Sequence, residues 1–376
     1  MTYKLCGVTS LYEILNDLVV YRNLIPADPR LPTVDDLRVD LGLAGGKLPR
    51  KAEIEYGRVV AEMLKAGRAL DRPATEIGHV VYIGDTRLND GTAFQNICAA
   101  GGWPGWALIA RDALSTASQT TIEEQIYVTN RWSALPAFLA FVQEQGFVLG
   151  TSTAVVIDMD KTAIGARGRN DHVIDAARVE GVERTIAGLL GQRFDASAFR
   201  AAYDELNQSP YYGLTADNQD YLAYICLILG AGLFDLDTVI GDVQSGKLSQ
   251  FVDFIVQVQE RRKELDDSGL TPIHDEVWQC VQSGDPTPFK AFRYNEYLTT
   301  IARFGDLPGA SVDQVLNSRI VITQEVREAA LMLRERGALV FGLSDKPDEA
   351  SLPSEAQVRE GMKPLHRLDT LVVGAA

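Results

Sequence analysis

Two features of this 376-residue chain predict an α/β fold with a doubly wound, parallel, Rossmann-like sheet. Short apolar segments such as VVYIG, AVVID and ALVFGL alternate with amphipathic segments, a pattern typical of βαβ units. The alternation is lost near residue 171 and returns after residue 318, and the sequence in between predicts helices almost throughout. We therefore expect an all-helical domain, residues 171–318, inserted into an α/β domain formed by residues 1–170 and 319–376.

The apolar periodicity and the turn residues predict the individual elements of each domain. In the α/β domain, helices are expected at 11–21, 52–67, 92–100, 134–145, 322–337 and 354–362, and strands at 80–83, 106–112, 125–129, 154–158, 338–344 and 370–374. In the insertion, helices are expected within 182–191, 196–207, 218–234, 248–265 and 274–282.

Composition excludes several classes of protein. The 36 basic and 51 acidic residues give a net charge of −15, which repels nucleic acid, so no nucleic-acid partner is expected. The four cysteines and four histidines are dispersed without a C-x-x-C pair, which argues against zinc and a disulfide framework. No apolar stretch reaches the roughly 18 residues of a membrane span, and the N-terminal segment is a poor signal peptide. We expect a soluble, cytoplasmic protein. The sequence does not indicate its oligomeric state.

Chemically active side chains follow three of the predicted strands. Asp158 and Asp160 end strand 154–158, and Asp85 follows strand 80–83. Because the carboxyl ends of parallel strands meet at one edge of a sheet, these acids are expected to converge. Paired carboxylates there suit a hard cation and a phosphate, although acids at such positions also serve as turn residues and helix caps.

These segments resemble the motifs of the haloacid dehalogenase (HAD) superfamily of phosphohydrolases. VVIDMDKT resembles the first motif, DxDx[TV], and ALVFGLS resembles the strand that ends in the second motif, here Ser344. GDTRLND resembles the fourth motif, with Asp85 and Asp90. The third motif is a lysine at a helix start, for which Lys51 is the candidate. The alternatives are Lys47, Arg50 and Lys346.

The order of the motifs departs from the family, because the third and fourth precede the first. This order would result from a circular permutation in which the old termini are joined near residues 145–152. Under this interpretation, strand 370–374 is expected beside the strand that ends at Ser344. A second departure is Lys161, where many members have glycine.

The resemblance implies a Mg²⁺-dependent reaction. Asp158 would be the nucleophile that forms an aspartyl-phosphate, and Asp160 the general acid and base. Mg²⁺ would be held by Asp158, by the backbone carbonyl of Asp160 and by Asp85. Asp90 would bind the metal or lie behind its ligands, although it could also merely cap the next helix.

Three further residues are assigned to phosphate binding by the resemblance: Ser344, Lys51 and Thr162. The helical insertion would form a cap over the site. Arg167 and Arg169, which follow the first motif, are expected to be surface charges.

The function that the resemblance implies is hydrolysis of a small phosphorylated metabolite. A phosphomutase or another HAD-type phosphoryl transferase remains an alternative, because an aspartyl-phosphate can also be passed to a second hydroxyl group. A dehalogenase would need Asp158 but not Asp160 or Asp85. A non-catalytic scaffold that retains the fold is the alternative from a different class.

Overall fold

The computed structural model describes residues 2–46 and 48–376. The chain divides into two compact units, one formed by Met1–Ala176 with Thr300–Ala376 and the other by Ala177–Thr299. The helical unit is thus shorter than the predicted insertion, 171–318. Both boundaries fall inside continuous helices.

All strands among the described residues belong to the first unit. They are β1 (Tyr3–Thr9), β2 (Val19–Val20), β3 (His79–Gly84), β4 (Gly105–Ala110), β5 (Thr120–Glu123), β6 (Ile126–Thr129), β7 (Thr153–Asp158), β8 (Ile322–Thr323), β9 (Leu339–Leu343) and β10 (Thr370–Ala375). The α-helices of both units, in chain order, are α1 (Tyr12–Leu15), α2 (Val34–Leu41), α3 (Ile54–Asp71), α4 (Thr92–Gly101), α5 (Leu135–Glu144), α6 (Asp171–Leu190), α7 (Ala196–Leu206), α8 (Tyr212–Thr215), α9 (Gln219–Gly230), α10 (Leu236–Gln244), α11 (Phe251–Glu260), α12 (Thr271–Gln282), α13 (Lys290–Ile301), α14 (Val312–Ser318), α15 (Gln324–Glu335) and α16 (Glu355–Arg359).

The main sheet of the described residues has seven strands in the order β2-β9-β7-β3-β4-β6-β5. All neighbouring pairs are parallel except β5 with β6. Every residue of β3, β7 and β9 is buried, as expected where both faces of a parallel sheet are covered. The predicted α/β class with a mostly parallel sheet is therefore confirmed.

Three neighbouring strands carry the motif residues, as the sequence predicts. Strand β7 lies between β9 and β3, and Asp158 pairs in register with Leu343 of β9. On the other side, Ile157 of β7 pairs with Ile83 of β3. Consequently the residues that follow β9 and β3 emerge at the same edge as Asp158.

The predicted position of the C-terminal strand is wrong. Strand β10 pairs with β1 and β8 in a separate three-stranded sheet, and the neighbour of β9 is β2. The helix predicted at 11–21 is also wrong, because α1 ends at Leu15 and Asn16 has a φ of 50°. The β-branched Val19 and Val20 then form β2, although a two-residue strand has no periodicity of its own.

Helices α3 and α4 cover one face of the central strands and form a continuous apolar core. Val80 and Tyr82 of β3 and Val156 of β7 point into this core, in keeping with the alternation of side chains along a strand. The helices contribute buried residues that include Tyr56, Val59, Met63, Phe94 and Ile97. This packing fixes the positions of β3 and β7. It therefore also fixes the edge of the sheet at which the acids emerge.

Arg169 is buried and not, as predicted, a surface charge. Its guanidinium donates to Asp112 and Glu325, each at 2.9 Å, and lies 4.6 Å from the ring centre of Tyr3. It also donates to the carbonyl oxygen of Val373, at 3.1 Å. One buried cation therefore ties together strands β1 and β10, at the two ends of the chain, and helix α15.

The Arg169–Glu325 pair is expected to make the protein labile to acid. Burial raises the pKa of Glu325, but the hydrogen bonds and charge of Arg169 outweigh it and hold that pKa below its ordinary value. The stabilisation is therefore present above about pH 4.3 and is lost as the pH falls through the folded-state pKa. Glu325→Gln is expected to lower the free energy of unfolding at pH 7 by about 1–3 kcal/mol and to flatten its decline in acid.

Urea unfolding between pH 3 and 7 measures both effects. The exposed Glu328→Gln in the same helix is the control, because it removes an equal charge without a buried partner. A Glu325→Gln protein as stable as the wild type at pH 7, with the same decline in acid, would contradict the assigned role of the pair.

The second unit, Ala177–Thr299, is helical throughout its regular elements. All five helical segments predicted there are found, and their apolar residues form a separate core around helix α9. A buried ion pair joins Arg293 to Asp220 and to Glu296 within this unit. Among the described residues of the whole chain, no helix is long and apolar enough to cross a membrane.

Candidate active site

The turn after β3 brings Asp90 back towards the strand. Residues Arg87–Gly91 form a π-helical turn, and Asp90 at its end is 1% exposed. The turn fits closely against the strand, because a Cβ atom added to Gly84 would lie 2.6 Å from the Cβ atom of Asp90. This close approach explains why glycine precedes Asp85.

Both carboxylate oxygens of Asp90 accept hydrogen bonds. Oδ2 accepts from the backbone N–H of Asp85 and from the N–H and hydroxyl of Thr86, at 3.2, 2.9 and 2.9 Å. Oδ1 accepts from Lys51 at 2.8 Å and from the Tyr82 hydroxyl at 3.1 Å. Burial raises the pKa of Asp90, but the charge and hydrogen bond of Lys51 and the remaining hydrogen bonds outweigh it and lower this pKa. Asp90 is thus an ionised residue whose lone pairs are largely used in holding the turn.

Lys51 lies between two of the predicted acids. Its ammonium nitrogen is 2.6 Å from Oδ1 of Asp158, 2.8 Å from Asp90 and 3.1 Å from Asp345. Burial lowers the pKa of Lys51, but the charges of these three carboxylates outweigh it and raise that pKa well above its ordinary value. Lys51 is therefore a permanent cation at the strand edge.

The approach of helices α3 and α4 positions Lys51, which lies three residues before α3. The side-chain amide of Asn96 in α4 donates to the carbonyl oxygen of Lys51 at 3.2 Å. A Cβ atom added to Gly57 of α3 would overlap the backbone of Asn96. The absence of a side chain at Gly57 thus lets α4 come close enough to hold the backbone of Lys51.

Two of the sequence alternatives to Lys51 have contacts with other groups. Arg50 is exposed, and its backbone N–H donates to Glu53. The ammonium group of Lys346 donates to the hydroxyl of Thr300 at 3.3 Å. Lys47 lies outside the described residues. Lys51 is the candidate whose ammonium group is in contact with Asp158.

Asp160 and Ser344 contact each other across the neighbouring strand ends. The Ser344 hydroxyl donates to Oδ2 of Asp160 at 2.6 Å and accepts from the backbone N–H of Lys346 at 3.0 Å. Asp160 is partly exposed, whereas Ser344 is buried. The serine thus orients the second aspartate of the DxD motif, a contact that the sequence did not predict.

Thr162 is buried within the loop that follows β7. Its side chain is fully inaccessible to solvent, and its hydroxyl has no hydrogen-bond partner among the described residues. Its carbonyl oxygen accepts from the hydroxyl of Thr323 at 2.6 Å. The structure therefore gives no support to the predicted contact between the Thr162 side chain and a phosphate.

Asp85 pairs with Arg167, which the sequence analysis assigned to the surface. The guanidinium Nε donates to Oδ2 of Asp85, whose side chain is only 6% exposed. Burial and the charge of Asp90 raise the pKa of Asp85 to about 7, although Arg167 opposes this shift. A second cation, in addition to Arg167, would favour the ionised form of Asp85 at neutral pH.

Asp85, Asp90 and Asp158 form a cluster that could hold a metal ion. Each offers a carboxylate oxygen, and these three oxygens lie within 4.8 Å of one another. The expected convergence of Asp85 and Asp158 at one edge of the sheet is therefore confirmed. Burial raises the pKa of Asp158 well above its ordinary value. The negative charges of Asp90 and Asp85 raise this pKa further, whereas the positive charge of Lys51 lowers it. A hard divalent cation fits this set of oxygen donors, because it would stabilise the ionised form of both Asp158 and Asp85.

The close fit at Gly84 leads to a prediction for stability. Gly84→Ala is expected to lower the free energy of unfolding by about 1–3 kcal/mol, because the added methyl group forces the turn at Asp90 away from the strand. Thermal or urea unfolding measures the effect. Gly241→Ala in helix α10 is the control, since a Cβ atom there meets nothing within 4 Å. Equal stabilities of the wild type and the Gly84 variant would contradict the described packing.

Comparison with known proteins found no match: no family model, no curated protein and no solved structure matches this chain.

Proposed function

We propose that this protein is a Mg²⁺-dependent hydrolase of small phosphate esters, related to the HAD superfamily by a circular permutation. The observation that carries the proposal is the convergence of three parallel strand ends on one buried lysine. Asp158 and Asp85 emerge from neighbouring strands, and Lys51 lies 2.6 Å from Asp158. Ser344 emerges from the strand on the other side of β7. This is the set of residues that the resemblance assigns to phosphoryl transfer.

Asp158 is the proposed nucleophile. Its carboxylate oxygen attacks phosphorus, the ester oxygen leaves, and water then cleaves the aspartyl-phosphate to restore the carboxylate and release inorganic phosphate. Lys51 favours the ionised form of Asp158, together with the metal ion, and offsets the repulsion between this carboxylate and an incoming phosphate.

Asp160 is the proposed general acid and base. It protonates the leaving oxygen in the first step and removes a proton from water in the second. The 2.6 Å hydrogen bond from Ser344 holds its carboxylate in one orientation. Since the only hydroxyl proton of Ser344 is used in this bond, Ser344 must release Asp160 to donate to a phosphoryl oxygen.

The residues that would hold Mg²⁺ are Asp158 and Asp85, together with the backbone carbonyl of Asp160. Asp90 is better suited to a position next to these ligands than to direct contact with the ion, because both of its oxygens already accept hydrogen bonds. The ion would supply neutralisation of charge on the phosphoryl oxygens.

The proposed permutation rests on the order of the motifs, because Lys51 and Asp85 precede Asp158 in the chain although Asp85 and Asp158 emerge from neighbouring strands. All proposed site residues belong to the first unit. We therefore propose that the helical unit, like the caps of the family, contributes to substrate choice and not to chemistry.

Hydrolysis of p-nitrophenyl phosphate tests the function directly. We expect turnover that depends on Mg²⁺ and is lost on chelation with EDTA, and an increase in melting temperature on addition of Mg²⁺. Absence of both turnover and a metal-dependent thermal shift would contradict the proposal and favour a non-catalytic scaffold.

A further inference from the structure

Arg167 is held rigidly by its backbone next to the candidate metal ligands. Its N–H donates to the carbonyl oxygen of Lys161 at 2.7 Å. Its own carbonyl oxygen accepts from the backbone N–H of Asp112 at 2.9 Å and from the indole of Trp132 at 3.2 Å. A Cβ atom added to the following Gly168 would overlap the Asp112 carbonyl, so this segment also fits closely against its neighbour. Only the side chain of Arg167 is therefore free to change its contacts.

The guanidinium of Arg167 has hydrogen-bond donors that the protein does not use. Of its five N–H groups, the one on Nε donates to Asp85, and neither terminal nitrogen has a partner among the described residues. The side chain is 33% exposed. By contrast, Arg169 uses Nε and both terminal nitrogens on Asp112, Glu325 and Val373 and has an inaccessible side chain. Arg169 is thus a structural cation, whereas Arg167 can still bind a ligand.

The position of Arg167 separates it from the proposed phosphoryl-binding groups. Ser344 follows β9 and Asp85 follows β3, with β7 between these strands. Neighbouring strands lie about 4.8 Å apart, so these two strand ends are separated by roughly 10 Å. A phosphoryl group on Asp158 that contacts Ser344 would leave Arg167, which lies at Asp85, to meet another part of the same ligand.

The charges of the site also require a further cation for an anionic ligand. Lys51 is fully committed to Asp158, Asp90 and Asp345. Arg167 is a neighbouring cation with unused donors, and a guanidinium binds a carboxylate or phosphate through two parallel N–H groups.

We propose that Arg167 binds a second anionic group of the substrate, so that the preferred substrates are small phosphate esters that also carry a carboxylate or a second phosphate. This inference rests on the proposed function. It assigns Arg167 to ligand binding and to specificity, not to the chemical step.

Two matched pairs of probes test this specificity. One pair is 3-phosphoglycerate and glycerol 3-phosphate, and the other is fructose 1,6-bisphosphate and fructose 6-phosphate; the members of each pair differ in the second anion. Dissociation constants are measured by calorimetry on the full chain with Ca²⁺ in place of Mg²⁺ to slow turnover. The same measurements are made on Arg167→Met, on Arg167→Lys and on Arg87→Met. Arg87 is a matched control, because it is an arginine that follows β3, as Asp85 does, but it is 46% exposed and pairs with Glu123.

The wild type is expected to bind the doubly anionic member of at least one pair about 10-fold or more tightly, as a charge-assisted hydrogen bond predicts. Arg167→Met should reduce this ratio to about one, Arg167→Lys should retain part of it, and Arg87→Met should leave it unchanged. Three results would overturn the inference: no preference in the wild type, an unchanged ratio in Arg167→Met, or an equal loss of affinity for both members of a pair. The last would mean that Arg167 acts through Asp85 or on the transferred phosphoryl group. Failure of the proposed function is distinguishable, because it removes binding of all four esters and hydrolysis of p-nitrophenyl phosphate.

Discussion

Asp158→Asn is expected to reduce hydrolysis of p-nitrophenyl phosphate by about 10⁴-fold or more while the fold remains intact. An amide is a poor nucleophile, and the neighbouring acids Asp90 and Asp160 are held by other groups, Asp90 by Lys51 and Thr86 and Asp160 by Ser344. Initial rates at saturating Mg²⁺ measure the loss. Circular dichroism and the urea midpoint check that the variant is folded.

The control for this variant is Asp175→Asn, which removes a partly exposed carboxylate that pairs with Lys161. It is expected to keep a rate close to that of the wild type. Asp158→Ala is measured in parallel, because an asparagine can revert by deamidation. Wild-type activity in both Asp158 variants would contradict the assignment of the nucleophile.

Lys51→Met is expected to lower the free energy of unfolding at pH 7 by about 3–5 kcal/mol, because it leaves buried carboxylates without their cation. Lys51 is 3% exposed, and both Asp158 and Asp90 contact its ammonium group. Urea unfolding measures the loss. Millimolar Mg²⁺ should restore part of the stability, since the ion would neutralise the same acids.

Lys65→Met is the control for this second experiment. Lys65 is about half exposed and pairs with Glu62 one helical turn away, so its loss should change the stability by about 0–1 kcal/mol. A Lys51 variant with the stability of the wild type, with or without Mg²⁺, would contradict a charged pair between Lys51 and Asp158.

The parts of the fold that could be predicted are those with a strong local pattern. The strands β3, β7 and β9 are buried on both faces and therefore appear as continuous apolar runs, each followed by polar residues. The parallel arrangement then places their ends together, which is why Asp85, Asp158 and Ser344 could be assigned to one edge without a structure.

The position of the C-terminal strand could not be derived in the same way. Strand β10 is as apolar as a central strand, but apolar character does not indicate which sheet a strand joins. The true neighbour of β9 has only two residues, Val19 and Val20, and its pairing depends on contacts distant in the chain. Local periodicity contains no information about either choice.

The charged partners of the site were missed for a related reason. Arg167 and Asp345 lie in loops without a motif that would predict their contacts, and an arginine in a loop is most often exposed. The contact of Arg167 with Asp85 joins residues 82 positions apart. The several acids in the motifs were the signal that could have indicated cationic partners, because buried carboxylates require cations nearby.

Detection of a phosphorylated Asp158 tests the central claim most directly. Asp160→Asn should still form the aspartyl-phosphate from p-nitrophenyl phosphate, whose leaving group needs no acid, but should hydrolyse it about 10²- to 10⁴-fold more slowly. The variant is mixed with substrate and Mg²⁺, quenched in acid within seconds and digested for mass spectrometry. We predict a peptide that carries one phosphoryl group on Asp158, is absent from the Asp158→Asn/Asp160→Asn double variant and is lost on treatment with hydroxylamine. Turnover by the wild type with no phosphorylated Asp158 in the Asp160→Asn protein would contradict the account.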